Sequence, residues 1–137
     1  MAVINEIIRI EADNTISFGN YQVADKQKIN DFKFEGHTYK VRTHNELTRF
    51  ERDDKMLLET VPGAAIHNFS SSDDGFEFSA EGDGNTQFTV GLEPGFEYII
   101  FVDGNISGTA SSGFSSKVNF GAELRPDLPC HIRIEKV

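Results

Sequence analysis

Tryptophan is absent from the 137 residues, cysteine occurs once, methionine twice and proline four times. Each scarcity removes a class of explanation. The lone Cys130 cannot close an internal disulfide, and no His/Cys spacing beside it suits zinc or a redox pair, so it reads as a small buried hydrophobe. No apolar run approaches the roughly 18 residues that a membrane-spanning helix requires. The opening stretch MAVINEIIRIEADN lacks the basic segment followed by an apolar run that marks a secretory signal. Together these predict no membrane insertion and a protein that is cytoplasmic or exported by a non-classical route.

Positive charge is also scarce, and its distribution is uneven. Residues 1–62 hold 9 basic and 11 acidic side chains, whereas residues 63–137 hold 4 and 11, for a net charge of −9. Between Lys55 and Lys117 there is no Lys or Arg at all. A phosphate backbone needs compensating cations, so nucleic acid is excluded as a partner for that surface. Net charge of this size also keeps a small protein dispersed.

Among the residues present, the apolar material is dominated by twelve Phe and three Tyr, a composition that favours pleated, half-buried surfaces over helices. A chain of this length hides roughly 68–70% of its unfolded surface on folding, enough for a core without covalent staples. Segments 3–10 and 15–22 flank Glu11-Ala12-Asp13-Asn14 and read as a first hairpin. Residues 23–30 are polar and suggest a connector or a short helical turn. Phe32, Phe34, Thr38, Tyr39 and Val41 alternate with charged residues about Glu35-Gly36-His37, which predicts two strands and a tight turn. Residues 44–53 fit a strand better than a short helix, Asp53-Asp54 is a turn pair, and the strand after it stops at Pro62-Gly63.

Beyond that step, short runs separated by Gly, Asp, Asn and Ser indicate a sandwich or small barrel, with a Ser70-to-Gly75 turn cluster. Phe76 and Phe78 sit two apart with Glu77 between them, so both rings share one face. The same spacing groups Phe88 with Val90, Val118 with Phe120 and Ile132 with Ile134. The expectation is an all-β chain: an N-terminal antiparallel meander of hairpins over 1–62, then a sandwich-like antiparallel region over 63–137, the two forming either adjoining units or one continuous domain. Leu92-Glu93-Pro94-Gly95-Phe96-Glu97-Tyr98 resembles the tyrosine corner of fibronectin type III and immunoglobulin-like sandwiches, which implies a packing corner built by Leu92, Pro94 and Tyr98.

Catalytic and metal-binding patterns are not found. His37, His44, His67 and His131 show no metal-ligand spacing. Nucleophile elbow, phosphate-cradling and dinucleotide glycine motifs are missing. The pairs Asp53-Asp54 and Asp73-Asp74 fall in turns, where carboxylates satisfy local backbone donors. Glu81-Gly82-Asp83-Gly84-Asn85 has the composition of a calcium loop without its ligand pattern, and reads as a hairpin turn or a weak calcium site. No catalytic, cofactor or metal residue is assigned.

The segments ISFGNYQ (16–22), FKFEGHTYKVRTHNELTRFERD (32–53) and LLETVPGAAIHNF (57–69) resemble short bacterial proteins of uncharacterised function that commonly carry the label endosialidase. That resemblance implies a bacterial origin, two adjoining β regions and, from the label, a glycan-active enzyme. Sialidase catalysis relies on a large propeller of four-stranded blades, which 137 residues do not build. It also relies on several arginines that clamp a carboxylate, and of Arg9, Arg42, Arg49, Arg52, Arg125 and Arg133 only the last two lie in the acidic half.

The residues themselves therefore predict a non-enzymatic β module that assembles with copies of itself or with a larger protein structure such as a coat, filament or decoration layer. The alternative is a small carbohydrate-binding module, in which Tyr21, Tyr39 and Phe114, each beside polar neighbours, stack on sugar rings. A glycan-active enzyme stands third.

Overall fold

In a computed structural model, described over residues 4–114 and 116–137, the chain forms two antiparallel sheets and no helix among the described residues. The strands in chain order are β1 (Ile8–Ile10), β2 (Ile16–Phe18), β3 (Gln27–Phe34), β4 (His37–His44), β5 (Leu47–Arg52), β6 (Lys55–Val61), β7 (Ala64–Ser72), β8 (Gly75–Gly82), β9 (Gly84–Gly91), β10 (Glu97–Val102), β11 (Asn105–Ser111), β12 (Lys117–Leu124) and β13 (Cys130–Lys136). One sheet runs β1-β2-β7-β8-β13-β10-β11 and the other β12-β9-β6-β5-β4-β3. The all-β, sandwich-like fold with N-terminal hairpins follows from the alternation and turn residues described above.

Pro62-Gly63 lies between β6 and β7, where the chain passes from one sheet to the other, and strands from both sides of it enter both sheets. Only glycine fits at 63, because a Cβ there would lie 2.0 Å from the carbonyl oxygen of His44. Tight turns with left-handed backbone form where expected at Glu35-Gly36 and Asp53-Asp54, and a further one forms at Asp103-Gly104; all three have positive φ at both central residues, the geometry that matches strand twist in two-residue hairpins.

Three segments differ from expectation. The first hairpin is trimmed to Ile8–Ile10 against Ile16–Phe18, since Gly19 turns the chain at φ 96°; Val3, where the first strand was expected to start, lies outside the described residues. The polar stretch 23–30 is not a connector throughout, because β3 begins at Gln27 and pairs with Thr43 of β4. As a sheet edge, β3 tolerates mostly exposed polar side chains. Ser70–Ser72 are strand and not turn, which confines the turn to Asp73-Asp74.

Between the sheets, rings pack in a continuous series that explains the phenylalanine content. Tyr39 stacks on Phe50, Phe50 on Phe18 at 4.0 Å between centroids, and Phe50 meets Phe69 edge-on. Phe69 contacts Phe76 and Phe78, Phe78 contacts Phe88, and Phe88 stacks on Phe120 at 4.9 Å. Such pairs add about 0.5–1.5 kcal/mol each beyond the area they bury. One end of the sandwich is closed by buried hydroxyls: Thr43 and Thr48 share a hydrogen bond of 2.7 Å, Thr48 bonds both the amide and carbonyl of Ala64, and the Asn20 amide donates to Thr43. The opposite end opens on a cavity.

Candidate functional site

At that open end, the β5–β6 and β7–β8 hairpins and the 91–98 segment surround a cavity of about 750 Å³. Its floor is apolar, because Phe76 and Tyr98 face inward from their strands, Leu57 is the extra residue at the β5–β6 register shift, and all three are buried. Arg49, Arg52, Lys55 and Lys117 line it, an unusual concentration of cations for a chain of net charge −9.

These cations are not equivalent. Arg49 is held by Glu59 and Glu51 at 2.8 Å each, and those bonds raise its pKa, Glu51 contributing most. Arg52 donates one hydrogen bond, from Nη1 to the Ser71 hydroxyl at 3.1 Å. The Lys55 backbone pairs with Arg52 in the β5–β6 ladder, and its exposed side chain makes no ion pair or hydrogen bond among the described residues. The neighbouring turn carboxylates make their direct contacts with β4 instead, and Asp53 meets Arg52 only through its charge. Asp53 accepts from the Thr38 amide at 3.0 Å and contacts His37 Nδ1 at 2.6 Å, which lowers its pKa, the backbone bond most. Asp54 takes the Lys40 ammonium at 2.6 Å.

Of the corner residues, Leu92 and Pro94 line the same cavity and Tyr98 belongs to its floor. Tyr98 is buried, and its hydroxyl donates to the Glu93 carbonyl at 3.3 Å, five residues upstream. Burial raises its pKa. Leu92 is half-buried against the core and Pro94 is exposed. Sequence reasoning missed Ser112, a buried hydroxyl that donates to the same Glu93 carbonyl at 2.6 Å and ties the corner to the end of β11. A serine in a Ser/Gly-rich segment carries no sign of that role.

The proposed stacking aromatics are corrected by burial. Tyr39 is 5% exposed within the ring series and Tyr21 is 4% exposed against Ala65, so neither presents a face to a sugar. Polar neighbours on either side of Tyr39 are what an inward-facing strand position looks like. Phe114 alone is fully exposed, and the structure does not bring it together with the two tyrosines.

Among the described residues the histidines do not gather at one site. His37, His67 and His131 each face a different carboxylate, Asp53, Glu81 and Glu77 respectively. The Glu81 side chain of the acidic 81–85 segment is buried and accepts the Asp127 amide, in the turn between β12 and β13, at 3.1 Å. Among the described residues no group of three or more His, Cys, Asp or Glu side chains is placed to hold a metal ion. No helix among the described residues is long and apolar enough to cross a membrane.

The four sheet edges differ in how they are guarded. β1 is three residues long. β3 carries Lys28, Asp31 and Lys33 and a register shift between Ile29 and Phe32. β11 is interrupted opposite Ile100/Phe101, where Ser107 is the extra residue. β12 pairs with β9 over all eight positions without a shift, and its other edge has no strand beside it among the described residues. Short, charged and bulged edges resist further pairing, whereas a regular one invites it.

Comparison with protein-family profiles, curated proteins and solved structures finds no match.

Proposed function

We propose that the protein is a non-enzymatic β module that pairs edge-to-edge with a second copy of itself through β12. The observation that carries this reading is the unbroken eight-residue register of β12 on β9, beside three edges that are short, charged or bulged. A two-fold antiparallel pairing centred on Phe120 sets Lys117 against Glu123 of the partner subunit, and Val118 against Ala122 of the partner subunit. Opposite charges facing each other across strands favour this register, and like charges would oppose it. Phe120 is half-buried on Phe88 at the sheet margin, and the pairing covers it with the same ring from the second copy. An isologous contact of this kind closes into a dimer and does not propagate.

Light scattering over a concentration series tests the reading. A mass that rises from one chain to two supports it, and a strict monomer at the highest concentration overturns it. The glycan-binding alternative loses two of its three stacking rings to the core.

A further inference from the structure

Independently of how copies pair, the open-end cavity has the makings of a ligand site. We propose that it binds a small organic carboxylate with an apolar body, the carboxylate held by Arg52 and Lys55. The two residues are register partners across the β5–β6 hairpin, so they enter the cavity side by side. Neither side chain is in a direct ion pair among the described residues, and Arg52 acts on Asp53 through its charge alone. Asp53 and Asp54 are held on the β4 side, Arg49 is satisfied by Glu51 and Glu59, and Glu93 on the rim lies 3.5 Å from Lys136. Asp73 is the remaining anion in the lining.

Arg52 uses one of its guanidinium donors, on Ser71, and the rest of the planar fork is free to meet a carboxylate in bidentate fashion. Behind the cations the floor is Leu57, Phe76 and the Tyr98 ring, with Leu92 beside them. An inorganic anion would leave that floor uncovered. A wholly apolar ligand would cover two cations without giving either a partner. A carboxylate joined to a ring or short alkyl chain satisfies both, and a volume of about 750 Å³ lies within the usual range for such ligands.

The test uses phenylacetate and its neutral amide, phenylacetamide, titrated into the full chain and followed by amide chemical shifts. Phenylacetate is expected to shift Leu57, Phe76 and Leu92 together and to bind several-fold more tightly than the amide. Arg52→Gln combined with Lys55→Gln should weaken the acid about tenfold and leave the amide unchanged. Lys117 is left intact so that pairing through β12 is undisturbed. Raising ionic strength on the unmodified protein gives a second reading free of any folding defect, because screening weakens the acid and spares the amide. Shifts spread over the surface, equal affinity for acid and amide, or salt-independent binding of the acid would each overturn the proposal.

Discussion

The imidazole of His67 lies 3.0 Å from the carboxylate of Glu81 on the outer face of the β7–β8 pair, both side chains shielded from water. The contact is close but poorly aligned: Nδ1 and Nε2 of His67 and Oε1 of Glu81 all lack a well-directed hydrogen bond, and Glu81 relies on its other oxygen to accept the Asp127 amide. Burial dominates the imidazole and lowers its pKa from the ordinary 6.5, although Glu81 acts in the opposite direction.

A pH dependence with a definite sign follows from that pair. Because the folded pKa of His67 lies below 6.5, the unfolded chain binds the proton more readily, so acid favours unfolding. The full contribution of neutral His67 is present above 6.5 and is lost as pH falls through the lowered folded value. Denaturant titrations of the wild type and His67→Gln at about pH 7 and pH 5 should show the wild type losing more stability over that interval. Parallel losses in the two proteins would remove His67 as the titrating group.

The corner at Glu93 gives an ordering of two substitutions. The carbonyl of Glu93 accepts from Tyr98 at 3.3 Å and from Ser112 at 2.6 Å, and the Ser112 oxygen also takes the Phe96 amide at 3.3 Å. Tyr98→Phe removes the longer of two bonds to an acceptor that keeps a partner, and should cost about 1 kcal/mol or less. Ser112→Ala takes away the shorter bond and strands a backbone donor, which places it at about 1–3 kcal/mol. Urea unfolding of both variants checks the ranking, and a larger loss for Tyr98→Phe contradicts this account of the corner.

Much of the interior was legible from spacing two apart: Phe76 with Phe78, Phe88 with Val90, and Ile132 with Ile134 all face the core. Turn positions were legible where Asp or Gly supplied left-handed backbone, as at Asp53-Asp54 and Glu35-Gly36. The sheet to which each strand belongs was not, because local alternation is the same whether a turn returns to its own sheet or crosses to the other. Asp83 joins β8 and β9 in different sheets, whereas Asp73-Asp74 joins β7 and β8 in one. For the same reason the cavity could not be read in advance. Arg52 and Lys55 are visibly a hairpin pair, but the diversion of Asp53 and Asp54 toward His37, Thr38 and Lys40 exists only once β4 is laid against β5.

Cys130 is predicted to be inert in the folded protein. Burial, followed by the nearby Asp103 carboxylate, pushes its thiol pKa up to about 11. A thiol reagent acts on the thiolate, so labelling at pH 8 should be slow under native conditions and become fast when denaturant unfolds the chain. Rapid native labelling would mean that the β13 end opens locally far more often than its packing suggests.

The edge pairing is the prediction with the greatest consequence, and charge reversal isolates it. In the two-fold register centred on Phe120, Lys117 faces Glu123 of the partner subunit twice in each dimer. Glu123→Lys converts both contacts to like-charge repulsion, so the dimer should weaken by about tenfold, the scale of two unfavourable cross-strand pairs. Adding Lys117→Glu to the same chain restores opposite signs in reversed order, and dimer affinity should return toward the wild-type value. Both side chains are exposed on β12, away from the ring series, and thermal unfolding of each variant separates any change in monomer stability from loss of pairing. Light scattering of the three proteins then separates the cases. Loss with rescue fixes both the edge and its register, loss without rescue points to pairing through β12 in a different register, and no loss at all removes β12 from the interface.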